Sequence, residues 1–195
     1  RMHDAHPAYS SIVGAGSNAC VLHYRDNRGK ARDGELVLID AGAEYRGYAS
    51  DITRTFPVNG RFNPAQRALH DLVGKAQAAA LAMALPGNPW SAIHDAAVET
   101  LTDGLLSLGL LKGRLKKNID DGSYQRFYRH KTGHWLGLDV HDVGEYRVDD
   151  LPRLLEPGMV FTIEPGLYVS SDDDTVDAKW RGIGIRTEDD IVITK

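Results

Sequence analysis

Four carboxylates and one histidine dominate the chemistry open to this sequence: Asp40, Asp51, His134, Glu164 and Glu188, spread over three blocks of the chain. Oxygen and nitrogen donors of these types suit hard or borderline divalent cations. Asp40 ends the apolar run Leu36-Val37-Leu38-Ile39, and Asp51 follows eleven positions later. On one flat strand that odd separation puts the two carboxylates on opposite faces, so they converge only if the chain turns between them. Gly42 and Gly47 favour a hairpin through 43–47. Alone the pair is weak evidence, because Asp near a strand end commonly serves a turn.

The segment 129–142, Arg-His-Lys-Thr-Gly-His-Trp-Leu-Gly-Leu-Asp-Val-His-Asp, carries His130, His134 and His141. His130 and His134 have i, i+4 spacing, but Gly133 and Gly137 oppose a helix, and Lys131 stands where a zincin helix has Glu. Surface histidines in a loop are the plain alternative. Glu164 follows Phe161-Thr162-Ile163 and precedes Pro165-Gly166, and Glu188 follows Gly182-Ile183-Gly184-Ile185-Arg186-Thr187. An ionised carboxylate in so apolar a strand is costly unless it is paired or holds a cation. For Glu188 a salt bridge to Arg186, two residues away on the same strand face, is the structural alternative. Gathered in one pocket, four carboxylates would repel. Two divalent cations would cancel their charge and would acidify a bridging water between ions about 3.5–4 Å apart. With Cys20 the lone thiol, Mn²⁺, Co²⁺, Mg²⁺ or Zn²⁺ is expected over soft-ligand metals.

The elements that must position these residues read in the order strands, two helices, strands. Residues 18–24 and 35–41 are expected as strands flanking a polar turn, and 48–56 as a returning strand that carries Asp51. Asn63 and Pro64, with Gln66 three residues past the cap, start a helix expected to reach about Ala84. After Pro86, Gly87 and Pro89, Ser91 is expected to cap a second helix with Ile93, Ala97, Leu101, Leu105 and Leu108 inward. Strands at 159–169 and 182–194 would hold Glu164 and Glu188. This order predicts an α+β class.

The 195 residues are 42% hydrophobic and 26% charged, which fits one domain over 1–195 with a single buried core. With 23 basic and 27 acidic residues the formal charge is −4, and the basic run Lys112, Arg114, Lys116, Lys117 is met at once by Asp120 and Asp121, as in a solvated loop or helix face. Neither nucleic acid nor membrane is expected as a partner. A lone cysteine and no charged-then-apolar leader point to the cytoplasm.

Several ordered blocks resemble one family. Ile12-Val13-Gly14, Asn18 to Tyr24, Leu38 to Gly42, Ser50 to Phe56, His134 to Asp142, Glu156 to Met159, Thr162 to Gly166 and Gly182 to Asp190 are similar to the methionine aminopeptidase/prolidase superfamily, the pita-bread (creatinase/aminopeptidase) metallopeptidases known as M24. Within it the likeness is greatest to the bacterial Xaa-Pro aminopeptidase group. The resemblance implies a curved antiparallel sheet backed by helices and two divalent ions, Mn²⁺ above all. It implies that Asp51 and Glu188 bridge both ions, that Asp40 completes one site, and that His134 and Glu164 complete the other. It also implies that Glu164 helps deprotonate the water, that His23, His130 and His141 act on the substrate or its oxyanion, that Arg186 orients Glu188, and that Trp135 and Tyr168 border the pocket. The implied substrate is a peptide with proline second. Xaa-Pro dipeptide cleavage, a non-catalytic peptide- or protein-binding module and a mononuclear or purely structural domain are the rivals. Family members carry an N-terminal domain and opening helices ahead of the part matching this chain, and the full-length form is expected to be a homo-oligomer.

Overall fold

A computed structural model describes residues 4–195. Its elements in chain order are β1 (His6–Pro7), β2 (Ile12–Ala15), β3 (Leu36–Ala41), β4 (Ala43–Tyr45), β5 (Tyr48–Ala49), β6 (Ile52–Pro57), α1 (Pro64–Ala82), α2 (Trp90–Ser107), α3 (Leu115–Asp120), β7 (Arg147–Val148), β8 (Leu151–Pro152), β9 (Val160–Ile163), β10 (Gly166–Tyr168), β11 (Gly184–Arg186) and β12 (Asp189–Val192).

The stretch Leu36–Pro57 is one long hairpin. Leu36 pairs with Pro57 and Ala41 with Ile52, and Glu44 pairs with Ala49 and Tyr45 with Tyr48 at the same register. Its two-residue turn is Arg46 and Gly47, both at positive φ (52° and 88°), the left-handed geometry that matches strand twist and that Gly47 adopts without strain. Asp51 sits between β5 and β6, opposite Gly42, where the ladder opens. Asp40 pairs with Thr53, and Thr53 is two residues past Asp51, so all three side chains share one face. The expected turn does bring the two Asp residues together.

The second ribbon has the same design. Gly166 pairs with Arg186 and Tyr168 with Gly184, while Ile163 pairs with Asp189 and Val160 with Val192. Register is unchanged across the gap between these ladders, so Glu164 stands opposite Glu188. The expected continuous strands 159–169 and 182–194 are therefore each broken at the carboxylate. A bridge between Thr53 and Glu188 joins this ribbon to the hairpin. On the far side the 132–136 segment joins it through Glu164 N–H to Thr132 O, 2.7 Å, and Thr162 N–H to His134 O, 3.0 Å.

Helix α1 begins as its sequence predicts, with Asn63 and Gln66 forming a reciprocal capping box. Helix α2 starts one residue before the expected Ser91 cap. Its flanking residue is Pro89, without a side-chain cap, and the Trp90 N–H is taken by Arg153 O at 2.7 Å, so docking rather than capping sets this end. The basic run lies on α3 and its flank, where Lys116–Asp120 and Lys117–Asp121 pair at i, i+4.

The strand expected at 18–24 is instead a 3-10 turn, Gly16–Cys20. Buried Ala19 fills a gap so tight that a Cβ on Gly14 or Gly184 would lie 3.0 Å or 2.4 Å from its backbone. Phe161, Ile163, Leu167 and Ile185 are fully buried; Leu167 and Ile185 join one hydrophobic cluster with residues of α1 and α2, and Phe161 and Ile163 join a second, so the expected single core is divided in two. They alternate with Glu164, Tyr168, Arg186 and Glu188. Helices thus take the apolar face of the ribbon and the carboxylates take the other. No helix among the described residues is long and apolar enough to cross a membrane.

Candidate metal centre

The five sequence-derived donors converge. Single donor atoms of Asp51, His134 and Glu188 lie within 4.8 Å of one another. His134 Nε2 is 3.5 Å from Asp51 Oδ2, 3.6 Å from Glu164 Oε1 and 3.9 Å from Glu188 Oε1. Its Nδ1 faces the Trp135 carbonyl at 3.0 Å, an arrangement that holds the ring with Nε2 as the lone pair aimed at the carboxylates. Asp40 closes the other side. The Tyr9 hydroxyl donates to Asp40 Oδ1 and lies 2.5 Å from Asp51 Oδ1, bridging the two carboxylates.

Arg186 is buried and reaches three groups: Asp40 Oδ2 at 2.5 Å, Tyr168 Oη at 3.0 Å and Thr53 Oγ1 at 3.2 Å. Thr53 in turn donates to Glu188 Oε2 at 2.6 Å. The salt bridge to Glu188, offered by the sequence as the structural alternative, is therefore not the one Arg186 forms. Its ion pair is with Asp40, and Glu188 is reached through the Thr53 hydroxyl. Arg186 is 4% exposed, which leaves it beneath the site rather than at its surface.

Electrostatics mark the cluster as short of positive charge. Burial and the neighbouring Glu188 charge hold the Glu164 carboxyl well above the usual range, and burial and Asp51 push Glu188 up to about 8. Burial also raises Asp40, against the pull of Arg186. For Asp51 burial is outweighed by the His134 imidazole and the Tyr9 hydroxyl beside it, which hold its carboxyl below the usual range. Glu188 Oε1 is buried with no hydrogen-bond partner, a costly state for a carboxylate oxygen. Hard donors, an orphaned carboxylate oxygen aimed into the cluster and His134 held by its far nitrogen all fit divalent cations.

The remaining expected residues divide. His141 lies edge-on to His134, ring centroids 4.2 Å apart, and His130 places Nδ1 3.8 Å from Glu164 Oε2 and Nε2 2.9 Å from Tyr168 Oη. Burial, then other cationic groups including His23, hold both His130 and His141 below the usual imidazole value, His130 at about 4. His23 is exposed, in the loop after the 3-10 turn. Tyr168 is fully buried under His130 and Arg186.

Trp135, expected at the pocket wall, turns away. It bridges to Phe161, so it takes the helix-facing side of the sheet and packs against Trp90, Tyr146 and Phe161. Strand alternation next to His134 carried the signal that would have placed it there. The residues missed in the sequence are Tyr9 and Thr53. Tyr9 is 31 and 42 positions from its two partners and belongs to no periodic pattern. Thr53 could have been found as the residue that shares a face with Asp51.

The family model for metallopeptidase family M24 matches residues 1–195. The chain is 52% identical over 189 residues to Xaa-Pro aminopeptidase of Haemophilus influenzae, covering 97% of this chain and 44% of that protein. Pseudomonas aeruginosa aminopeptidase PepP superposes with a TM-score of 0.95 at 57% identity, covering 96% of this chain and 42% of that one. An Escherichia coli aminopeptidase P variant in complex with substrate superposes with a TM-score of 0.93 at 51% identity, covering 97% and 42%. The chain thus spans less than half the length of these relatives. Its fold is their pita-bread fold, and the chain belongs to metallopeptidase family M24.

Proposed function

We infer that residues 1–195 form one catalytic domain, that of a metal-dependent aminopeptidase releasing the N-terminal residue from peptides with proline second. The observation that carries this reading is the convergence of Asp51, His134 and Glu188, flanked by Asp40 and Glu164, in a chain 52% identical to an Xaa-Pro aminopeptidase. Asp51 and Glu188 would bridge two ions, with Asp40 on one and His134 and Glu164 on the other; Mn²⁺ is the first candidate, then Co²⁺, Zn²⁺ or Mg²⁺. Such ions polarise the scissile carbonyl and lower the pKa of a water to near neutrality.

The chain's own residues do the rest. Glu164 would accept the proton of the attacking water and pass it toward the departing nitrogen. An Xaa-Pro bond has no amide N–H, so recognition must come from elsewhere. His141 and His23 are assigned to the developing oxyanion and His130 to the pocket. Arg186 and Tyr168 hold Asp40 and His130 from below. We place the protein in the cytoplasm and expect its full-length form to be a homo-oligomer.

The test is hydrolysis of a tripeptide with proline second against an Xaa-Pro dipeptide, in saturating Mn²⁺. Release of the first residue from the tripeptide is the expected result. Cleavage of the dipeptide alone would reassign the chain to dipeptidase activity, and tight ion binding with no hydrolysis would make it a binding module.

A further inference from the structure

The two carboxylates assigned to both ions stand on different ribbons, each at a point where its own ladder is open. Each backbone is nevertheless held, by a side chain from the other ribbon. The Asp51 N–H donates to both carboxylate oxygens of Asp190, at 3.1 and 3.2 Å, and Asp190 is two residues past Glu188. Reciprocally, Arg54, three residues past Asp51, donates from Nη1 to the Glu188 carbonyl at 2.6 Å and to the Thr53 carbonyl at 2.9 Å. Its Nη2 pairs with Asp189 Oδ1 at 2.5 Å. The other Asp189 oxygen takes Gln77 Nε2 of α1 at 2.8 Å, so the clamp is tied to the longest helix of the chain.

A direct backbone bond, Glu188 N–H to Thr53 O at 3.0 Å, is the one backbone bridge between the ribbons at this level among the described residues, and on the side away from Asp51 the ribbons are also tied by the Thr55 hydroxyl to the Arg186 backbone at 3.0 and 3.1 Å and by Arg186 Nε to Thr53 Oγ1 at 3.2 Å. Without Arg54 and Asp190 those ties would remain, but the Asp51 side of the bridge would lose its own, and the Asp51 backbone could shift relative to Glu188. A single ion can follow such a movement by choosing its donors. Two ions sharing both carboxylates cannot, because each carboxylate must then satisfy two fixed distances at once.

We propose that Arg54 and Asp190 are positioning residues that fix the spacing of Asp51 and Glu188, so that binding of the second ion depends on them more than binding of the first. The proposal rests on the two-ion reading above. Its test is calorimetric titration of the metal-free chain with Mn²⁺, for the unmodified protein and for Asp190→Ala, Asp190→Asn, Arg54→Ala and Arg54→Lys. The unmodified chain should take up two ions. In Asp190→Ala and Arg54→Ala the second ion should weaken by about 10- to 100-fold, the usual range for residues supporting metal ligands, with the first changed far less. Asp190→Asn keeps an acceptor oxygen and Arg54→Lys keeps a cation, and both should recover part of the loss. With the proline-second tripeptide, kcat at limiting Mn²⁺ should fall and return at saturating Mn²⁺, with KM unchanged. Unchanged titrations, or equal weakening of both ions in variants with native circular dichroism, would overturn the proposal. If Asp190→Ala or Arg54→Ala fails to fold, Asp190→Asn and Arg54→Lys decide: a second-ion affinity equal to native in both overturns it. A single ion in the unmodified chain would instead overturn the two-ion reading itself.

Discussion

Glu164 and Glu188 face each other across a β-ladder interrupted only where they stand: Ile163 pairs with Asp189 on one side and Gly166 with Arg186 on the other, at one register. Directly opposed like charges destabilise a sheet, and here Glu188 is buried and Glu164 half-buried. Backbone pairing continues on both sides, so the fold pushes these carboxylates together rather than letting them part. The stability of this chain should therefore depend on what neutralises them.

Removing divalent ions should lower the melting temperature. Ions present at about 100 times their dissociation constant contribute about 2.7 kcal/mol per site, and each kcal/mol is worth about 2–4 °C at this size. Chelation after Mn²⁺ loading is expected to shift the thermal unfolding midpoint down by about 5 °C or more, read by circular dichroism. A midpoint that stays put after verified metal removal would contradict the electrostatic reading.

Arg186→Ala should be strongly destabilising in the metal-free chain. It leaves Asp40 buried without its 2.5 Å ion-pair partner and also strips a donor from Thr53 and Tyr168. Loss of one partner of a buried pair costs about 3–5 kcal/mol, measurable by urea unfolding. Arg186→Lys should recover part of this, because one ammonium cannot reach all three acceptors. A cost below about 1 kcal/mol for Arg186→Ala would show that Asp40 does not depend on it.

Gly42→Ala and Gly74→Ala should act in opposite directions. A Cβ on Gly42 would lie 1.7 Å from the Ser50 carbonyl oxygen, forcing apart the two hairpin arms beside Asp51. A loss of about 1–3 kcal/mol is expected, with weaker Mn²⁺ binding. Gly74, in α1, has open space, so alanine there should stabilise by about 0.5–1 kcal/mol. Urea unfolding of both variants reads the contrast, and a neutral Gly42→Ala would contradict the close approach.

His94 should make the chain sensitive to acid. Burial, then the Lys131 charge, lowers its pKa to about 4, and Nδ1 faces the Thr132 hydroxyl at 2.8 Å. Between about pH 4 and the unfolded value of about 6.5 the unfolded chain binds this proton and the folded chain does not. Stability therefore falls as pH drops through that window and is fully present above it. The raised carboxylates act in the opposite sense, losing stability as pH rises, but equally in native and variant proteins. His94→Gln should flatten the fall between pH 6.5 and 4, and an identical slope in both proteins would remove His94 from the account.

The donors were legible in the sequence because ionised groups inside apolar strands have few explanations other than a cation or a partner. Asp40 and Asp51 needed only a turn, and the Arg46-Gly47 turn supplies it. What could not be read locally is what tertiary contact decides. The 18–24 segment has strand-like residues, yet Gly14 and Gly184 draw the chain in around Ala19 and it coils. Trp135 sits beside His134 in sequence and on the opposite face in space. Tyr9 gains its meaning only when two distant carboxylates meet at its hydroxyl, and Arg54 and Asp190 gain theirs only when two ribbons lie side by side.

This chain is expected to fold around two ions shared by Asp51 and Glu188, and metal content after dialysis distinguishes that from a one-ion or empty site. Elemental analysis of Mn²⁺-loaded protein should give about two ions per chain, and Asp51→Ala, folded by circular dichroism, should retain fewer than one. One ion or none in the unmodified chain, or two in Asp51→Ala, would contradict it.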